Sequence, residues 1–334
     1  MKNPKKSDRI VRRGESMEFW QIAILILGIL VGIAALILLI SFVCFLKVFY
    51  SVNPKDDGLE KYDMPPGAIY EPYHEQMRAW RKEAYAMPCE KVEITSFDGL
   101  KLRGKYYEYE KGGKVEILLH GYRGTAERDL CGGIQRCFAL KRNVLIVNQR
   151  ASRGSEGHVI SFGINESKDC LAWIDYIIDR FGKDVKIFLG GISMGAATVL
   201  TAAGMRLPEN VVGAVADCGF SSAKEIICSE IKKMGLPPKL LYPFVKLGAR
   251  LYGRFDLEET SPLQAIKNCK IPVVFIHGET DDFVPCEMSK AVYEACPTQK
   301  FLWLVPNAGH GLAYLVDPDG YIQTLKAFED ACGI

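Results

Sequence analysis

The chain has 334 residues, 49% of them hydrophobic, and its 42 basic and 40 acidic residues leave a net charge of +2. That length holds one large domain or two small ones, and the balanced charge, with no basic run, argues against nucleic acid as a partner. Eleven cysteines occur without a C-x-x-C pair or a Cys/His cluster at zinc spacing, so no metal site is expected from them.

Residues 1–21 read as a short polar tail. Residues 22–46, Ile22 to Leu46, form a 25-residue run without a charge. A bilayer span needs about 20 apolar residues. The run is too long for a signal peptide, and no small-residue cleavage site follows it, so an uncleaved transmembrane anchor is expected. Lys2, Lys5, Lys6, Arg9, Arg12 and Arg13 precede the run, against Lys47, Lys55 and Lys61 soon after it. This excess places the N-terminus in the cytoplasm and the rest of a single-pass protein outside the cell membrane. Gly28 and Gly32 stand at G-x-x-x-G spacing, which serves helix pairing or simply faces lipid. An outside location permits disulfides. Yet Cys170 and Cys218 lie in apolar runs and read as small buried hydrophobes, so topology and cysteine usage pull in different directions.

Residues 47–89 comprise a polar, proline-bearing linker over 51–66 and a lead-in helix over 68–87. The main domain is expected over 90–334. It opens with KVEITSFDGLKLRGKYYE, a hairpin about Asp98-Gly99. Six short apolar runs follow, at 115–121, 143–150, 185–191, 211–219, 271–278 and 300–309, with amphipathic stretches between most of them. Such alternation predicts an α/β domain with a mostly parallel sheet covered on both faces. Residues 222–262 interrupt the rhythm. They read as a helical cap of two or three helices, broken at Pro237-Pro238. From Ser222 to Phe255 the cap carries seven basic and two acidic residues. That surplus is either a solvated helix face or a lid for anionic lipid or an acidic substrate.

The stretch Gly191-Ile192-Ser193-Met194-Gly195 is a G-x-S-x-G match between an apolar strand and a helical pattern. A serine hydroxyl there needs a general base, and the base needs a carboxylate to hold its tautomer. Two histidines follow Ser193. His277 ends a strand, while His310 lies in the glycine-flanked loop PNAGHGLAY and is the better placed base. Asp281, Asp282 and Asp217 are the candidate acids, with Asp281 first because it stands in a loop just past a strand end. The oxyanion donors are expected from the backbone N–H groups of Met194 and Tyr122, the latter after Gly121 in LLHGYRGT. His120 reads as a loop brace.

The ordered set HGYRGT, NQRASRGSEG, GGISMGAA, HGETDDFVP and NAGHG resembles the α/β-hydrolase superfamily, in its esterase/lipase and serine-aminopeptidase-like branch, and is similar to bacterial members with an N-terminal membrane anchor. The resemblance covers about residues 90–332. It implies a nucleophile at Ser193, an acid at Asp281, a base at His310 and oxyanion amides at Tyr122 and Met194. It also implies a cap that shapes the substrate pocket. One loop departs from the family's D-x-R-G-x-G-x-S form, with Asn148 and Arg153 at the differing positions. The reading that follows is a membrane-anchored serine hydrolase of carboxylic esters, acyl or lipid-like, needing no metal or organic cofactor. Its small-molecule ester or short peptide substrate is open, because an aminopeptidase or amidase uses the same residues. A non-catalytic binding protein on the same fold is the remaining reading.

Overall fold

The structure, a computed structural model, describes residues 18–52, 64–65, 67–130 and 132–334. Most of the tail expected over 1–21, and most of the linker expected over 51–66, lie outside the described residues.

The apolar run forms helix α1, Phe19–Val48, of 30 residues. Its side chains are exposed from Phe19 through Leu39, and the first buried positions are Ser41 and Phe45. Helix α2, His74–Ala86, then lies on the domain. The expected hairpin is antiparallel, β1 (Glu90–Thr95) pairing with β2 (Lys101–Tyr107).

The remaining strands are β3 (Val115–Leu119), β4 (Asn143–Asn148), β5 (Ile187–Ile192), β6 (Val211–Asp217), β7 (Val273–Gly278) and β8 (Lys300–Val305). Each falls inside one of the six apolar runs, except that β5 continues one residue past its run, to Ile192. They join the hairpin in an eight-stranded sheet of order β1-β2-β4-β3-β5-β6-β7-β8. β2 pairs antiparallel with β4, and every later pairing is parallel. β3, β4 and β7 are buried throughout, as strands covered on both faces must be. Helices α3 (Ala126–Asp129) and α4 (Gly133–Ala139) follow β3, and α5 (Ile164–Phe181) follows β4. On α5 the residues Cys170, Trp173, Ile174 and Ile177 share one face and are fully buried against the sheet. At about 1.5–3 kcal/mol for each large apolar side chain, that face alone contributes several kcal/mol.

Helix α6 (Met194–Ala203) follows β5 and is buried along its whole length. Its threonines bond inward, the Thr198 and Thr201 hydroxyls donating to the carbonyls four residues back. One charge sits inside the sheet. Glu116 of β3 accepts from Arg142 (2.6 Å) and Arg136 (2.5 Å). Burial works against its ionisation, but the two guanidiniums hold its pKa down at about 2.

The insertion forms α7 (Ala223–Lys233) and α8 (Pro238–Gly248), followed by a π-turn, Ala249–Gly253. Pro237 and Pro238 fall at the start of α8, where Pro is tolerated, while Pro243 stands inside the same helix. α8 packs on the C-terminal part of α1. A side chain at Gly248 would come 2.4 Å from the Ser41 carbonyl oxygen. Helix α9 (Pro262–Ala265) leads to β7, α10 (Cys286–Ala295) joins β7 to β8, and α11 (Ala313–Val316) and α12 (Pro318–Cys332) close the chain.

Candidate active site

The crossovers change direction between β3 and β5, where Leu119 lies opposite Gly191. Ligands of open α/β sheets gather at such a switch point, at the carboxyl ends of the strands. Ser193 stands there, on the turn from β5 to α6, with φ +56° and ψ −118°. This is a strained conformation for a residue with a side chain. The turn holds because its amide donates to the Asp217 carbonyl (2.8 Å) and because the residues two positions to either side, Gly191 and Gly195, have no Cβ. A Cβ on Gly195 would lie 2.0 Å from the Leu119 carbonyl oxygen, and one on Gly191 2.3 Å from the Gly195 carbonyl.

Three of the expected side chains form one hydrogen-bonded chain. Ser193 Oγ lies 2.9 Å from His310 Nε2, and His310 Nδ1 lies 2.7 Å from Asp281 Oδ2. The other Asp281 oxygen accepts from the amides of Phe283 (2.9 Å) and Val284 (2.8 Å). Burial opposes charge on Asp281, but hydrogen bonds from His277 and His310 and the Val284 amide hold its pKa well below the usual carboxylate range. An ionised Asp281 requires a proton on His310 Nδ1, which leaves Nε2 free to accept from the serine hydroxyl. The ring of Phe283 lies 5.0 Å from that of His310 and shields it.

The other candidates sit apart from this chain. Asp282 is exposed. Asp217 is buried beneath the serine turn, where its Oδ2 accepts from the Tyr321 hydroxyl (3.0 Å) and its Oδ1 has no partner. Burial raises its pKa to about 6. A small cavity of about 70 Å³ adjoins it, lined also by Arg136 and Tyr321, with room for a water molecule or two. His277 bonds its own loop, Nε2 lying 2.8 Å from the Val284 carbonyl, and it also touches Asp281 Oδ2 at 3.2 Å. Sequence reasoning missed this second contact on Asp281, although the spacing of four residues across a strand end was visible. His120 braces two loops. Its Nε2 accepts from the Gln149 amide (3.1 Å) and its Nδ1 faces the Gly121 carbonyl (2.8 Å).

The loop that departs from the family form is structural. Asn148 Oδ1 accepts from the Ala126 amide (2.9 Å) at the start of α3, and Arg150 forks onto Asp169 (2.6 and 2.7 Å) and Asp98. Cys218, Asp281 and His310 offer ligand atoms within 4.8 Å of one another. Burial keeps the Cys218 thiol protonated, and the other two groups are engaged with each other, so the trio is a poor cation site.

Gly121 packs against the serine, a Cβ there lying 3.5 Å from Ser193 Cβ. The Tyr122 amide beside it has no acceptor among the described residues. The Met194 amide belongs to the first turn of α6, where helix amides lack internal partners. Two hollows meet at Ser193. One, of about 260 Å³, is mostly apolar and lies under the cap, walled by Phe162, Phe220, Ile226, Ile227 and, from α1, Val48. The other is a wider cleft of about 690 Å³ with Arg123, Arg128, Asp129, Asp282 and Tyr70 on its walls. A serine made nucleophilic by histidine, with amides beside it, is equipped for acyl transfer.

A family model described as the alpha/beta hydrolase fold matches residues 117–245, and a model described as Serine hydrolase (FSH1) matches residues 190–311. The Pyrococcus furiosus esterase Pf2001 superposes with a TM-score of 0.60 at 25% identity, over 75% of this chain and 93% of that one. The chain thus has the α/β-hydrolase fold, and the serine-hydrolase model matches the stretch that holds Ser193, Asp281 and His310. Among relatives, it is 30% identical over 189 residues to the uncharacterized protein YqkD of Bacillus subtilis, a match spanning 56% of this chain and 62% of the relative, less than two thirds of its length. It is also 22% identical over 250 residues to an uncharacterized membrane protein of Saccharomyces cerevisiae, across 74% of this chain and 81% of that one.

Proposed function

We propose that the protein is a membrane-anchored serine hydrolase that cleaves carboxylic esters through an acyl-enzyme at Ser193. The observation that carries this reading is the hydrogen-bonded chain Ser193–His310–Asp281 at the meeting point of an apolar hollow and a polar cleft. Ser193 Oγ attacks the ester carbonyl carbon while His310 Nε2 takes its proton. The amides of Tyr122 and Met194 receive the oxyanion. The carbon–oxygen bond to the alcohol then breaks, and His310 returns the proton to the departing alkoxide. Water attacks the acyl-serine with His310 again as base, the acid leaves and Ser193 regains its proton. Asp281 orients the imidazole and balances its transient charge. The apolar hollow takes the acyl group, and the cleft takes the alcohol.

Helix α1 is the anchor in this reading. It is the one described helix long and apolar enough to cross a membrane. The excess of basic residues before it puts the domain outside the cell, which protease accessibility on intact cells tests. Fluorophosphonate labelling and hydrolysis of p-nitrophenyl butyrate test the chemistry. Both are expected in the parent and lost in Ser193→Ala, by a factor on the order of 10³ or more in rate. Labelling that survives the substitution moves the nucleophile elsewhere. Aminoacyl anilides separate an amidase from an esterase, because the same residues serve both reactions.

A further inference from the structure

The anchor does not end where the domain begins. Its side chains are exposed from Phe19 through Leu39, and beyond that one face turns inward, with Ser41 and Phe45 buried. Those first 21 residues, at 1.5 Å each, span about 31 Å, the thickness of a bilayer's hydrocarbon core. Aromatic residues mark both limits, as they do at membrane surfaces. Trp20 stands at one end, and at the other Phe42 packs edge-on against Tyr252 (5.0 Å), whose hydroxyl donates to the Leu38 carbonyl. The last turns of α1 therefore belong to the domain. Phe45 and Phe49 are buried with Phe162 and Phe255. The Tyr122 hydroxyl donates to the Val48 carbonyl (2.7 Å), and Arg123 donates to the carbonyls of Lys47 and Tyr50 (2.9 Å each).

Val48 is also a wall of the apolar hollow at Ser193. From Leu39 to Val48 the helix rises only about 14 Å, so the hollow lies that close to the hydrocarbon edge and cannot drift from it. The cap beside it shows apolar side chains to solvent, Leu236 (46% exposed), Leu240 (63%) and Leu251 (45%), with the exposed cations Lys232, Lys239, Arg250 and Arg254 among them. Apolar side chains interleaved with cations, on a cap packed against α1, match a leaflet with anionic headgroups.

From this geometry we propose that the substrate is an acyl ester resident in the bilayer, whose chain passes from the leaflet along the end of α1 into the hollow under the cap. The inference rests on the ester-hydrolase reading above and adds the substrate class and its route. The hollow's 260 Å³ at about 30 Å³ per water-sized group accepts roughly eight carbons. A longer chain keeps its remainder in the leaflet.

The test uses the full chain reconstituted in phosphatidylcholine–phosphatidylglycerol vesicles, with p-nitrophenyl butyrate, octanoate and palmitate as probes. Octanoate and vesicle-borne palmitate are expected to exceed butyrate in kcat/KM, by roughly fourfold for each methylene that the hollow buries. Ile227→Trp fills the hollow and is expected to shift the preference to butyrate. Leu236→Ser/Leu240→Ser is expected to lower the palmitate-to-butyrate ratio on the order of tenfold, while circular dichroism reports an intact fold. Cleavage of butyrate with no gain for longer chains overturns this inference and leaves the hydrolase reading standing. The same holds for a ratio that neither variant moves. Loss of every ester activity, or a preference for aminoacyl anilides, overturns both.

Discussion

Two buried aspartates flank the serine turn, and their surroundings push their charges in opposite directions. Asp281 is held ionised by donors from four residues, whereas Asp217 has one donor and an orphaned oxygen. Asp281→Asn is therefore expected to lower kcat by about 10⁴-fold through the wrong imidazole tautomer, and Asp217→Asn by no more than a few-fold. Rates on p-nitrophenyl butyrate check both. Their pH signatures also differ. Asp217 is raised from an unfolded value near 3.8 to about 6. Its favourable contribution is thus complete below 3.8 and lost as the pH rises through 6. The loss is on the order of 3 kcal/mol. Asp217→Asn is expected to exceed the parent in urea stability at about pH 8 and to hold no advantage at about pH 4. Asp281, with a lowered pKa, stabilises above its unfolded value and loses that contribution only as the pH falls toward its folded one. The sequence placed Asp281 and His310 by their positions after strand ends. It did not reveal the partner of Asp217, because Tyr321 arrives from a helix 104 residues later.

At the scale of elements, the strands were legible because parallel strands buried on both faces are continuous apolar runs. The hairpin was legible from its turn and alternation. The contact between α8 and α1 was not. A helix that is apolar all round shows no preferred face, so nothing in its pattern marks the side that meets the domain. Gly248 is the residue that permits the contact, with the α1 backbone where its side chain would be. Gly248→Val is expected to push the cap off α1, to lower the thermal midpoint by several degrees and to weaken activity on octanoate. Thermal unfolding of the full chain in detergent measures the first effect, and ester kinetics measure the second. A variant that melts with the parent would mean that α8 yields without strain.

For the whole molecule, the division between anchor and domain that the sequence presents is not the division that packing makes. A fragment of residues 60–334 would keep every residue of the Ser193–His310–Asp281 chain, yet it would lose Phe45 and Phe49 from beneath the cap. At about 1.5–3 kcal/mol per buried aromatic, and with Tyr122 and Arg123 left without acceptors, the fragment is expected to be less stable by several kcal/mol. Urea unfolding of fragment and full chain, side by side in the same detergent, measures the difference. Its kcat/KM for butyrate is expected to fall as well, because Tyr122 sits in the loop proposed to present its amide to the oxyanion.

The hydrogen bonds from Tyr122 and Arg123 to the end of α1 bear on the order in which the molecule is made. Synthesis runs from the N-terminus, so α1 leaves the ribosome before any strand. In the anchored reading it inserts first and offers its last carbonyls as fixed acceptors, and the loop after β3 closes onto them when it emerges. Under the anchored reading proposed above, insertion of α1 supplies a template on which the serine's surroundings are assembled, and a domain made without that template would have to find the same loop conformation unaided.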